Sequence, residues 1–109
     1  EPMIKLTVMY NLSEGADHEE FLKWRTTEHQ QDNAAMPGII KTDFYIIKSA
    51  WKQDKAPYRY MTEAYYPDKQ TFEESFLNPE YQLKMDEWLK IMADPIFLIS
   101  EEVISQAAN

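Results

Sequence analysis

The chain has 109 residues, enough for one domain and not two, and its 44% hydrophobic content with 3 Trp, 7 Tyr and 5 Phe excludes a disordered segment. Its 19 acidic and 11 basic side chains leave a net charge of −8, which argues against nucleic acid or anionic membrane as a partner, because phosphate contacts need clustered Lys and Arg. It contains no cysteine, which excludes disulfides, thiolate catalysis and sulfur-ligated metals.

No apolar run approaches the ~18 residues that cross a bilayer, and no signal-peptide pattern opens the chain, so a soluble cytoplasmic protein is expected. Residue 1 is Glu rather than Met. We read Glu1 and Pro2 as a trimmed or tag-derived start and expect a single domain over 3–105.

"MIKLTVMY", 3–10, alternates Ile4, Leu6, Val8 and Tyr10 on one face and predicts a strand. Asp17 with Glu20 three residues later resembles a capping box and predicts a helix over about 18–35, stopped by Pro37 and Gly38. On a wheel centred on Phe21, Arg25, Glu28, His29, Asp32 and Met36 fall within about 80° of the inward direction. Four of these five are ionisable, an odd choice for a face that should be apolar.

"IIKTDFYIIKSA", 39–50, predicts a strand apolar on both faces, with Ile40, Phe44 and Ile46 on one and Ile39, Tyr45 and Ile47 on the other. "YRYMTEAYY", 58–66, predicts an aromatic-rich third strand. Asp68 caps a short helix to about Leu77, and Asn78-Pro79 caps another with the stripe Tyr81, Met85, Trp88, Leu89 and Met92, ended by Asp94-Pro95. "IFLISEEVI", 96–104, predicts the last strand.

This order, β-α-β-β-α-β, predicts an α+β, ferredoxin-like fold with one antiparallel sheet and helices on one face. Two strands apolar on both faces would leave the other sheet face exposed, so a second copy is expected to cover it as a homodimer, enclosing a cavity between two sheets.

"MIKLTVMY", "FLKWRTTEHQQDNAAMPGI" and "EAYYPDKQTFEESFLNPEY" resemble the dimeric α+β barrel superfamily, on its EthD-like side. The spacing of His, seven residues and Met-Pro-Gly also resembles the methylmuconolactone isomerases of that superfamily. The fuller string F-x-x-W-R-x-x-E-H-x-x-x-N-x-x-M-P-G is most similar to RedY-like proteins of prodiginine and related pyrrole or indole pathways. The resemblance implies a homodimer, no metal or organic cofactor, a pocket between sheet and first helix, and a functional histidine that falls on His29. It does not carry over isomerase chemistry: Thr42 stands where those enzymes have Tyr, their cysteine is missing, and the only other histidine is His18.

His29 is the leading candidate for proton transfer, with an ordinary pKa near 6.5. Flanking Glu28 and Asp32 would favour its imidazolium form, and Arg25 would oppose it. The competing reading is a salt-bridge network tying helix to sheet. Asn33 is a candidate to hold a ligand carbonyl or to orient the imidazole. Trp24, Met36, Tyr10 and Tyr45 are candidate walls of a ligand cavity. A metal site from Asp17, His18, Glu19 and Glu20 is not expected, because helical neighbours diverge by 100°. No glycine-rich phosphate loop or nucleophile motif is present.

The expectation is therefore a cofactor-free, homodimeric enzyme that cyclises, dehydrates or isomerises a small aromatic, pyrrole- or indole-containing metabolite. His29 would act as general acid or base and Arg25 and Glu28 would set its charge. A cofactor-independent monooxygenase and a non-catalytic metabolite-binding protein are the alternatives.

Overall fold

The structure is a computed structural model that describes residues 1–109. Its elements are β1 (Ile4–Leu12), α1 (His18–Arg25), α2 (Glu28–Ala34), β2 (Lys41–Ile46), β3 (Tyr60–Tyr66), α3 (Lys69–Phe76), α4 (Pro79–Leu89) and β4 (Met92–Glu101). The strands form one antiparallel sheet in the order β2-β3-β1-β4. This is the ferredoxin-like α+β arrangement that the alternation of strands and helices predicts.

The alternating residues of β1 explain the core. Ile4, Leu6, Val8, Tyr10 and Leu12 are buried beneath the helices, and Tyr60, Ala64 and Tyr66 of β3 join them. Phe21 of α1 and Phe72 of α3 pack onto this layer. Ser75 of α3 is buried too, its hydroxyl 3.0 Å from that of Tyr66.

The opposite face carries the intervening residues. Register places Tyr45, Met61, Met9 and Ile96 side by side in one row across all four strands. Ion pairs flank the row, Lys5 with Glu63 at 2.8 Å and Lys41 with Asp43 at 3.3 Å. No helix covers this face.

Caps behave as their residue types dictate. Asp17 Oδ1 accepts from the amides of Glu19 and Glu20, Asp68 Oδ1 from that of Thr71, and Asn78 Oδ1 from that of Glu80. Pro79 opens α4, where its missing amide costs nothing.

Two boundaries differ from expectation. The single helix over 18–35 is two helices, interrupted at Thr26-Thr27. Asp94-Pro95 does not end α4 but forms a bulge inside β4: Met9 pairs with Ile96 and Asn11 with Ala93, leaving two residues opposite Tyr10. Asp94 takes φ 54°, which Asp tolerates better than most residues, and the bulge accommodates Pro95. Met92 therefore belongs to the strand rather than to the helical stripe.

Gly38 turns the chain from α2 towards β2 at φ +75°. A Cβ there would collide with Thr71 Cγ2 of α3, so the turn is held against a neighbouring helix as well as in the left-handed region.

Candidate active site

The break at Thr26-Thr27 builds the site. Both threonine hydroxyls donate back to carbonyls of α1, those of Leu22 and Lys23, and Thr27 leaves helical geometry at φ −118° and ψ −94°. The helix restarts in a new phase. Arg25 and His29 are buried, 1% and 8% exposed, whereas Glu28 and Asp32 face solvent. One uninterrupted helix would have turned all four inward.

Arg25 reaches from α1 to the sheet. Its Nη1 donates to Gln30 Oε1 at 2.7 Å and its Nη2 to Thr62 Oγ1 at 3.0 Å. The guanidinium carbon lies 4.2 Å from the centroid of the Phe44 ring, a cation–π contact. Gln30 in turn donates to the carbonyl of Thr42 at 3.1 Å, which ties α2 to β2. The link from helix to sheet is thus a network of hydrogen bonds from one cation to neutral acceptors, not the salt-bridge network that the charged stripe suggested.

His29 sits between two tryptophans. Trp24 of α1 stacks on it with centroids 4.2 Å apart and 19° between planes, and Trp88 of α4 meets it edge-on at 4.4 Å and 78°. Its Nδ1 is buried and has no hydrogen-bond partner. Burial first, then the charge of Arg25, push its pKa down to about 4, against an opposing pull from Asp32. The imidazole is neutral near pH 7, so of the opposed influences expected on it, burial and Arg25 prevail over the carboxylates.

Helices and sheet enclose a cavity of about 60 Å³, and 13 of its 18 lining residues are apolar. Tyr10, Arg25, His29, Asn33 and Met36 line it, together with Tyr81, Met85 and Trp88 of α4. The void is smaller than the ~150 Å³ that accepts benzene. Met36, Met85 and Met92, which are unbranched and rotamer-rich, are the lining groups best able to yield to a ring.

Three expected site residues, Glu28, Tyr45 and Trp24, do not line this cavity. Glu28 is exposed after the helix break. Tyr45 is 43% exposed on the uncovered sheet face, because the period of two puts it opposite Phe44. Within the chain the cavity lies between helices and sheet, where the family resemblance implies a pocket. Trp24 backs His29 without lining the cavity.

Gln30, Thr62 and Trp88 are site residues that the sequence reading missed. Thr62 carried a signal: it is the one polar residue alternating with Tyr60, Ala64 and Tyr66 on the inner face of β3. Gln30 and Trp88 carried none, since one depends on the helix break and the other on the approach of α4. No group of three or more His, Cys, Asp or Glu side chains converges as metal ligands, and no helix is long and apolar enough to cross a membrane.

The model of the REDY-like protein HapK family matches residues 4–103, which takes in both Arg25 and His29. The chain belongs to the REDY-like HapK family. No curated protein matches it by sequence. Among solved structures it is similar to an ethyl tert-butyl ether D (EthD) family protein from Bacillus halodurans, at TM-score 0.74 and 20% identity over 93% of this chain and 99% of that one. A hydroxynitrile lyase from Passiflora edulis superposes at TM-score 0.76 and 10% identity, covering 97% and 98% of the two chains. A dimeric ferredoxin-like protein of unknown function from Thermobifida fusca follows at TM-score 0.66 and 12% identity, over 93% and 92%. At these identities the likenesses establish the fold that this REDY-like chain shares, and its chemistry must be argued from its own side chains.

Proposed function

We propose that this chain is a cofactor-free cytoplasmic enzyme that moves protons on a small aromatic, pyrrole- or indole-bearing metabolite of a prodiginine-like secondary pathway. The reaction is a cyclisation, dehydration or isomerisation. One observation carries the reading: His29, a buried, neutral imidazole with an unpartnered Nδ1, lines an apolar cavity. A neutral imidazole holds one donor and one acceptor nitrogen, so it can accept a proton at one place and deliver it at another. Trp24 and Trp88 fix the plane of the ring, Asn33 offers the ligand an amide, and Tyr10 and Met36 shape the walls.

The working unit is a homodimer. The row Tyr45–Met61–Met9–Ile96 leaves an apolar strip on an uncovered sheet face, and a second copy would remove it from water. Dimeric proteins among the structural neighbours support the same assembly.

The test is proton exchange in D2O with pyrrole and indole carbonyl compounds, followed by NMR, with dissolved oxygen recorded in parallel. Protein-dependent deuterium incorporation without oxygen uptake is expected. Stoichiometric oxygen uptake would identify an oxygenase, and saturable binding with no exchange would identify a carrier.

A further inference from the structure

Arg25 is the most deeply buried charge in the chain, at 1% exposure, and it lines the cavity. The ion pairs of the structure join Lys5 to Glu63, Lys41 to Asp43 and Lys90 to Glu87, so none of them involves Arg25. Its hydrogen-bond acceptors Gln30 and Thr62 are neutral. Tyr10 and Tyr81 are the other titratable groups that feel its charge, and burial holds both phenols above their usual pKa, that of Tyr81 at about 12. Both are therefore uncharged at neutral pH. Glu28 and Asp32 on α2 face solvent.

A guanidinium cannot escape this cost by losing its proton, and an unpaired charge in such surroundings costs on the order of several kcal/mol. A ligand that brings the missing negative charge removes the deficit. A second group points the same way, because His29 lines the same cavity and its buried Nδ1 has no partner.

We propose that the cavity selects ligands bearing a carboxylate on a small aromatic ring, with the carboxylate held by the free N–H groups of Arg25 and by Nδ1–H of His29. The proposal rests on the reading of the cavity as a metabolite site, and it adds the ligand's charge and orientation. Arg25 suits the task because its planar fork matches a carboxylate, and its bonds to Gln30 and Thr62 hold the plane of that fork. The ring then lies along the apolar wall of Met85, Trp88 and Phe97. A carboxylate bound there also offsets the field of Arg25 at His29 and leaves Nε2 as the accepting nitrogen. The ligand would thus make the imidazole a stronger base only once it is in place.

The experiment is a titration of the full chain with pyrrole-2-carboxylate and with pyrrole-2-carboxamide at equal ionic strength, read by tryptophan fluorescence. Trp24 and Trp88 flank His29 and report occupancy. The carboxylate is expected to bind about tenfold or more tightly than the carboxamide, the contrast that charge-assisted hydrogen bonds produce. Arg25→Met should erase the preference. Equal affinities, or no saturable quenching by the carboxylate, would overturn the proposal, and the wild-type comparison decides even if the variant does not fold. Failure of proton exchange with the carboxylate preference intact would remove only the catalytic reading. Exchange on neutral compounds without that preference would remove only this one.

Discussion

Trp24 and His29 stack at 4.2 Å although a helix break separates them, because Thr26 and Thr27 end α1 and α2 restarts with His29 in its first turn. The stack removes the imidazole from water, and the charge of Arg25 then acts on it within the same cavity. A buried neutral base follows directly from that pairing.

Histidine NMR titration should place His29 well below an ordinary imidazole, near pH 4. The sign of the linked stability change is fixed. The folded pKa lies below the unfolded value of about 6.5, so between the two the unfolded chain binds more protons. The contribution of His29 is present above pH 6.5 and lost as pH falls towards 4. Thermal melts across that window should show wild type losing more stability than His29→Gln.

Gly38→Ala should destabilise the fold, by about 1–3 kcal/mol, through a left-handed backbone and a collision with Thr71. Denaturant melts would show it as a lower midpoint with an unchanged slope. Thr71→Ala combined with it should recover part of the loss, since the clashing methyl is then gone.

Much of this architecture was legible because it is local. Asp17, Asp68 and Asn78-Pro79 announce their helices by side-chain chemistry within one turn, and the alternation along β1 marks its buried face. What stayed hidden depends on distant groups or on small departures from regularity. Two threonines shifted the phase of α2, which moved Glu28 and Asp32 to solvent and made Gln30 the acceptor of Arg25. Tyr45 could not be assigned to a face, because a strand apolar on both faces does not say which face the helices cover. Asp94-Pro95 looks like a helix stop, yet the same residue types suit a bulge.

Met85→Ala should separate stability from access. Met85 is 7% exposed and lines the cavity, so its truncation should cost about 2–5 kcal/mol while enlarging the void. Denaturant melts measure the loss. The same variant should bind indole-2-carboxylate relatively better than pyrrole-2-carboxylate when compared with wild type.

Met61→Asp places a charge in the middle of the uncovered strip, remote from the cavity on the other side of the sheet. Sedimentation should show a shift from dimer to monomer. Circular dichroism should show the fold retained.

Proton exchange by His29→Ala under conditions where wild type is active is the most direct measurement of all, with circular dichroism as a control for folding. The rate should fall by about 10²–10⁴-fold, the contribution of a positioned acid–base group. A folded His29→Ala variant that exchanges protons at the wild-type rate would contradict the assignment of His29.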